Sequence, residues 1–350
     1  MLIDRNTFSF KKLRNRFRAS RSYMAKRPVN SAKPIEVIVE VTNSCNLDCI
    51  MCPRLNMVRS VGFMELEIFR SIVDQVKEYA ELVFLAGGLG DPLLHPNYGE
   101  MISYAVENDV RLGISTNATM LTPGNIDTLL TTQPDLILFS LDGAGKETHE
   151  KIRVGSKFER TMGGVEDFLY EKERRGLSKP YTICQMVYMP ENRDEADEFR
   201  EKWGKFAAVD DVRLKKFLFL QGASYGAEPD PNAPDHSKWS CILPWRQLSI
   251  GFDGTVALCC RDYDFTEPIG NVKETTLDDI WNSEKMARYR ETLATERKSE
   301  LSNCEDCRAI RTNVLTRMGA IALDDYSIRK LLPVFERLVV RTGMTLTDYD

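Results

Sequence analysis

From residue 35 onward the chain switches repeatedly between two hydrophobic periods. Ile35-Glu36-Val37-Ile38-Val39-Glu40-Val41 is a β-branched run and predicts a strand, after which Leu66, Phe69, Ile72, Val73 and Val76 recur at helical spacing within a helix over 66–79. The series continues with a strand at 82–86, a helix at 97–108, a strand at 111–116, a helix at 123–131 and a strand from Leu136 to Leu141. A helix at 160–174, a strand at 181–188, a helix at 193–206 and a strand at 211–219 complete it. Strands alternating with helices in this way predict an α/β fold with a parallel sheet, and six units fall short of a closed eightfold barrel. The expected architecture is therefore a partial (β/α)6 barrel, whose ligands sit at the C-terminal ends of the strands.

The pattern breaks at 221–240, where Gly222, Gly226, Pro231 and Pro234 predict a linker. Beyond it, Phe252-Asp253-Gly254-Thr255 lies between two short apolar runs and predicts a β-hairpin within Gln247 to Cys260. A helix over 276–295 and a last one over 325–341 follow. The expected division is a basic N-terminal extension (1–33), an α/β core (34–220), the linker (221–240), a small cysteine-rich hairpin/helix domain (241–310) and a C-terminal helical extension (311–350).

Composition narrows the functional classes. With 47 basic and 52 acidic residues and a net charge of −5, the chain does not have the basic excess of a nucleic-acid protein. The first 27 residues are the exception, carrying nine Lys and Arg against Asp4 alone, interleaved with Phe8, Phe10, Leu13 and Phe17. A basic amphipathic helix can lie on an anionic membrane surface, but a helix packed on its own domain is the commoner form and is the one expected. This region is too charged for a secretory signal, and no apolar run is long enough to span a bilayer. Nine cysteines in short clusters then fit a reduced, cytoplasmic compartment.

The densest cluster is Cys45-Asn46-Leu47-Asp48-Cys49-Ile50-Met51-Cys52, a C-x3-C-x2-C loop delivered by the first strand. Three thiolates can ligate three irons of a cubane and leave the fourth iron open, whereas a structural zinc site requires four ligands and no vacancy. Buried free thiols are the bland alternative. The loop resembles the cluster loop of the radical S-adenosylmethionine (SAM) superfamily. That resemblance implies a [4Fe-4S] cluster held by Cys45, Cys49 and Cys52, whose open iron binds SAM and delivers one electron. Cleavage then yields methionine and a 5′-deoxyadenosyl radical that abstracts hydrogen from substrate, with the protein supplying orientation and exclusion of water.

Further motifs fall at strand ends, where SAM would lie. Gly87-Gly88-Leu89-Gly90-Asp91-Pro92 resembles the family's Gly-Gly-Glu-Pro-like motif, which receives the SAM amino group, with Asp91 standing where Glu is usual. The resemblance assigns Gly88, Gly90 and Asp91 to cofactor binding. It also assigns Asn117, in Ser115-Thr116-Asn117, and Ser140, in Ser140-Leu141-Asp142-Gly143, to ribose contacts; capping of the next helix is the structural alternative for both. Arg153 resembles an arginine that pairs with the SAM carboxylate, a task suited to its bidentate fork; otherwise it forms a surface ion pair. Gly87 to Gly90 lacks the G-x-G-x-x-G spacing of a dinucleotide site, and His95, His149 and His236 are too scattered for a Cys-His or Ser-His engine.

A second set comprises Cys241, Cys259, Cys260, Cys304 and Cys307. Cys304-x2-Cys307 alone could be half of a zinc site completed by His236 or Cys241. The whole run, from Cys241 through Gly254-x4-Cys259, Gly270-Asn271-Val272 and Leu277 to Trp281, resembles the auxiliary-cluster region called SPASM, or its shortened form, twitch. It implies an auxiliary [4Fe-4S] cluster held by Cys241, Cys259, Cys304 and Cys307, with Cys260 spare. Cys184, within a strand, reads as a small buried hydrophobe.

The implied function is radical SAM oxidoreductase chemistry, expected as a two-electron dehydrogenation of a sugar or aminocyclitol-like molecule, with a flavodoxin- or ferredoxin-type protein as external electron donor. Lys215, Lys216 and Arg261 are candidate proton acceptors by location. A peptide maturase forming a thioether or carbon–carbon crosslink is the second expectation, although the ~34 residues ahead of the core are fewer than a recognition domain needs. A non-catalytic iron–sulfur scaffold is the third; it would have no use for the SAM-like positions.

Overall fold

The structure is a computed structural model and describes residues 10–86, 89–216, 241–305 and 307. In chain order its elements begin with α1 (Phe10–Met24), β1 (Glu36–Val39), α2 (Leu66–Val76), β2 (Leu82–Leu85), α3 (Tyr98–Glu107), β3 (Leu112–Thr116), α4 (Pro123–Thr132) and β4 (Leu136–Ser140). They continue with α5 (Lys146–Ile152), α6 (Phe158–Arg174), β5 (Tyr181–Tyr188), α7 (Ala196–Gly204) and β6 (Asp211–Lys216). The C-terminal part contains α8 (Leu243–Arg246), β7 (Gln247–Ile250), β8 (Thr255–Ala257), β9 (Gly270–Asn271), α9 (Leu277–Trp281) and α10 (Glu284–Ala294). The helix expected at 325–341 lies outside the described residues, as does the end of the strand expected to reach 219.

Strands β1 to β6 pair in parallel in sequence order, as the alternating periods predict. Val37 and Val39, Val83 and Leu85, Leu112 and Ile114, and Ile137 and Phe139 join one hydrophobic core with the helices. Helix α2 buries Ile68, Phe69, Ile72, Val73 and Val76 there; each such side chain contributes about 1.5–3 kcal/mol by leaving water. The opposite face of the strands is mixed, with Ser115, Ser140, Gln185 and Arg213 at alternate positions.

Two features differ from the sequence expectation. The hairpin β7–β8 is not a separate sheet, because β7 pairs in parallel with β1 from Glu36↔Gln247 to Val39↔Ile250, so one nine-stranded sheet runs β6-β5-β4-β3-β2-β1-β7-β8-β9. Leu248 and Ile250 thereby enter the same core as Val37 and Val39. The helix expected over 276–295 is two helices: Ser283 adopts extended backbone and its side chain accepts from Met286 N, capping α10 where α9 stops.

The basic N-terminal segment forms a packed helix. Asn15 of α1 donates to Lys33 O at 3.0 Å and accepts from Lys33 N at 2.8 Å, Arg16 pairs with Glu81, and Ala19 and Tyr23 join the core. No helix among the described residues is long and apolar enough to cross a membrane.

Candidate active site

The first cysteine loop is fixed at both ends and along its length. Thr42 Oγ1 donates to Gly62 O at 2.7 Å and accepts from Ser44 N, while Asn43 bridges Ser60 O and Gly62 N. Ser44 O accepts from Asp91 N at 2.8 Å. In the middle of the loop, Asp48 N donates to Val154 O at 2.9 Å and Ile50 N to Ile152 O at 3.0 Å. These two bonds lay the loop against the end of α5 and bring Arg153 beside the thiols.

Gly90 and Asp91 serve the same junction. A Cβ on Gly90 would stand 2.2 Å from Thr42 O and 2.7 Å from Ser44 O, so only glycine lets the two loops approach. The Asp91 carboxylate is buried and accepts from Leu93 N at 3.0 Å, Thr116 Oγ1 at 2.9 Å and Asn117 N at 2.6 Å. It thereby ties the ends of β2 and β3 to each other. Burial raises its pKa, against the pull of these donors and of Arg153. Gly88 lies outside the described residues.

Asn117 does two things at once. Its Oδ1 accepts from Thr119 N and Thr119 Oγ1, the turn-closing role, while its Nδ2 lies 3.1 Å from Asn46 Oδ1 and 3.7 Å from Cys45 Sγ. Ser140 ends β4 and is partly open to solvent, with no side-chain hydrogen bond among the described residues. Arg153 is buried and donates from Nε to Asp142 Oδ2 at 2.7 Å, with Nη2 at 2.6 Å from the same oxygen. Burial opposes its charge, but Asp142 and Cys49 outweigh it and hold the guanidinium above its ordinary value. The other Asp142 oxygen accepts from Val187 N at 2.6 Å.

The thiols suit a cluster. Burial pushes Cys49 up to about 11, with Arg153 pulling the other way, and burial likewise raises Cys45 and Cys52. Metal binding must displace these protons. Cys45 and Cys52 remain partly reachable by solvent, so the trio has an open side. No group of three or more His, Cys, Asp or Glu among the described residues is arranged to hold a single metal ion; a cubane instead spreads its thiolates over an iron–sulfur framework.

The second cysteine set also assembles. Cys241 is within electrostatic reach of Cys259, Cys304 and Cys307. Burial and neighbouring cysteines push both Cys259 and Cys304 up to about 12. All four are partly solvent-reachable. Cys260 is within electrostatic reach of Arg261, Lys215 and Glu36, and also of Cys259. Since Glu36 is on β1 and Lys215 on β6, five strands apart in sheet order, the sheet must curl so that the Cys260 segment spans the gap between them. Cys184 is fully buried in β5.

Contacts join the two cysteine regions. Arg59, just past the first loop, forms a bidentate pair with buried Glu40 at 2.8 Å to each oxygen and donates to Tyr263 O at 2.8 Å. Its guanidinium sits over the Phe265 ring at 4.3 Å. Tyr263 is within reach of Cys52. Asp142, Asn46, Arg59 and Glu40 were not singled out from sequence; Asp142 alone carried a signal, as part of the strand-end run 140–143.

Comparison with known proteins agrees with this geometry. Residues 39–202 match the Radical SAM superfamily and residues 241–308 match SPASM, an iron–sulfur cluster-binding domain. Residues 39–202 thus form a radical SAM domain, followed by a C-terminal SPASM region. The chain's cofactors are accordingly SAM, a SAM-binding [4Fe-4S] cluster and auxiliary iron–sulfur chemistry. Among relatives, it is 27% identical to the tungsten-containing aldehyde ferredoxin oxidoreductase cofactor-modifying protein of Pyrococcus furiosus, over 72% of this chain and 82% of that one. It is 32% identical to the AdoMet-dependent heme synthase of Methanosarcina barkeri over 59% of this chain, spanning 56% of that protein's length. Similar folds include BtrN in complex with AdoMet and 2-DOIA (TM-score 0.54, 19% identity, 79% of this chain and 94% of BtrN). Another is Streptococcus suis SuiB bound to precursor peptide SuiA (TM-score 0.57, 14% identity, 79% of this chain and 70% of SuiB).

Proposed function

We propose that this protein is a radical SAM oxidoreductase that removes two electrons from a hydroxylated small molecule, with Cys45, Cys49 and Cys52 holding the SAM-binding cluster and Cys241, Cys259, Cys304 and Cys307 holding one auxiliary cluster. When bound, the first cluster supplies the electron that cleaves SAM to methionine and the 5′-deoxyadenosyl radical that takes hydrogen from substrate. The chain's own residues orient and enclose. Asn117 Nδ2 and Arg153 flank the thiol trio and are the proposed contacts to the ribose and carboxylate of SAM. Gly90 and Asp91 hold the loop against which the SAM amino group would rest, Asp91 through its backbone links, since its carboxylate already serves Leu93, Thr116 and Asn117. Ser140 offers a free hydroxyl to the ribose.

The observation that carries the substrate reading is the polar inner face between the two cysteine regions. Ser249 Oγ and Gln247 Oε1 are buried without a hydrogen-bond partner, and leaving such groups unpaired costs about 1–3 kcal/mol each. A polyhydroxylated ligand can satisfy them, and Ser115, Ser140 and Gln185 extend the same face. The fold neighbours leave the choice open, because BtrN was solved with 2-DOIA and SuiB with a peptide. Anaerobic incubation with SAM, dithionite and a carbon-deuterated aminocyclitol tests the reading: deuterium should enter 5′-deoxyadenosine and a ketone should form. Deuterium uptake only from a deuterated peptide would favour a maturase instead.

A further inference from the structure

The segment after the first cysteine loop grips three consecutive residues of the C-terminal region. The Arg59 side chain is mostly buried, and all three of its guanidinium nitrogens are engaged. Nη1 and Nη2 donate to the two oxygens of buried Glu40 at 2.8 Å each, and Nε donates to Tyr263 O at 2.8 Å. Beside it, Val58 N donates to Asp264 Oδ1 at 3.0 Å. The Arg59 guanidinium also covers the Phe265 ring at 4.3 Å, and the far side of the ring lies against Gly251, where a Cβ would stand 3.0 Å from it. Phe265 holds a φ of +49°, in the left-handed region that a residue with a bulky side chain enters only where its surroundings over-determine it.

The gripped turn is bonded in turn to the segments that carry the auxiliary cysteines. Asp262 N donates to Cys259 O at 3.3 Å, and Phe265 N donates to Asp262 O at 3.2 Å. The buried Asp262 carboxylate accepts from Thr266 N at 2.9 Å and from Thr266 Oγ1 at 3.0 Å. Thr266 Oγ1 accepts from Nδ2 of Asn303, the residue before Cys304, at 2.9 Å. On the opposite side Glu40 directly follows β1, and its N donates to Ile250 O at 2.8 Å. Asn43, two residues ahead of Cys45, donates to Ser60 O, next to Arg59, at 2.9 Å. A continuous chain of hydrogen bonds therefore runs from the segment that delivers Cys45, through Arg59, to the segments of Cys259 and Cys304.

We propose that Arg59 is a positioning residue, which fixes the first cysteine loop and the auxiliary cysteine set at one separation by clamping the turn at Tyr263 to Phe265. The inference rests on reading Cys241, Cys259, Cys304 and Cys307 as ligands of an auxiliary cluster. Functional constellations must be held to within about 0.5 Å of their working geometry by side chains that are themselves locked, and Arg59 is locked by Glu40. The planar fork of an arginine holds both Glu40 oxygens while Nε and the face of the guanidinium serve Tyr263 O and Phe265. A lysine offers a point charge and no stacking face, so it can replace the charge without replacing the clamp.

The test is electron paramagnetic resonance of the anaerobically reconstituted, dithionite-reduced full chain, which reads the magnetic coupling between its two reduced clusters, alongside iron analysis. The parent should carry about eight irons and show one well-defined coupling. Arg59→Met combined with Glu40→Leu removes both charges, so no buried carboxylate is stranded. This double variant should keep its irons and its 5′-deoxyadenosine production, while its coupling becomes weaker and broadly distributed. Arg59→Lys keeps the charge opposite Glu40 and should broaden the coupling as well. Four results overturn the proposal. A lysine variant that matches the parent would make Arg59 only the counter-ion of Glu40, and a double variant with the parent coupling would show that the separation is set elsewhere. Loss of about four irons from the double variant would make the clamp a staple of the auxiliary fold, and a parent with its full iron content but no defined coupling would show that the two regions are not fixed. Each of these leaves the auxiliary-cluster reading standing, whereas a parent that holds only about four irons refutes that reading and this proposal with it.

Discussion

Asp91 accepts a hydrogen bond from the backbone of Asn117 at 2.6 Å, and so the loop after β2 fixes the residue whose amide reaches Cys45 Sγ at 3.7 Å. Removing that carboxylate by Asp91→Ala strands three buried donors. The expected loss of stability is about 3 kcal/mol or more, because each of the three unsatisfied buried groups costs about 1–3 kcal/mol. Denaturant unfolding of the parent and variant under anaerobic conditions measures it. Gly90→Ala should act at the same junction through backbone collision with Thr42 O, and its readout is iron loading: the first cluster should fail to assemble while the auxiliary one remains.

Arg153 and Asp142 form a buried pair, so breaking it should be far more harmful than removing it. Arg153→Met leaves Asp142 uncompensated and should cost about 3–5 kcal/mol, whereas the double variant Arg153→Met with Asp142→Leu should recover a large part of that loss. Unfolding free energies for the two single variants and the double variant close the cycle. An Asp142 pair without energetic coupling would contradict the geometry.

Cys241 lies within electrostatic reach of Cys259, Cys304 and Cys307, whereas the charges nearest Cys260 include Arg261, Lys215 and Glu36. Cys259→Ala should therefore lose about four of about eight irons per chain, and Cys260→Ala should keep them. Iron and sulfide analysis of anaerobically reconstituted protein decides this. Four irons lost from Cys260→Ala alone would reverse the ligand choice.

His149 gives stability a pH dependence with a definite sign. It is fully buried, its Nε2 lies 2.9 Å from Ser156 Oγ, and burial, with Arg153 adding to it, lowers its pKa to about 4 from 6.5. The folded ring stays neutral where the unfolded chain already binds a proton. Stability from this group is thus fully present above about pH 6.5 and falls as pH drops toward 4, by on the order of 3 kcal/mol in all. In unfolding measurements between pH 7.5 and 4.5, His149→Gln should flatten that part of the profile relative to the parent.

The strands β1 to β6 were legible because a buried parallel strand needs β-branched and apolar residues, and Glu36–Val39, Leu82–Leu85 and Leu136–Ser140 supply them. The cysteine loop was legible because its spacing is local. The proximity of Arg153 to the thiols was not, since it depends on backbone bonds from Asp48 and Ile50 to residues a hundred positions away. Asp142 lay in view within 140–143, but its partner is on another element. The joining of β7 to β1 was hidden for the same reason: Gln247–Ile250 is too short to reveal its neighbour. The break between α9 and α10 was readable in principle, from a serine cap that the helical apolar spacing overrode. Positions 88 and 325–341 lie outside the described residues.

The central claim is that the open side of the Cys45, Cys49 and Cys52 trio serves SAM. Measuring 5′-deoxyadenosine from anaerobically reconstituted protein given SAM and dithionite tests it most directly. The account predicts steady formation by the parent and none by Cys49→Ala; a parent protein with its full iron content that produces no 5′-deoxyadenosine would contradict it.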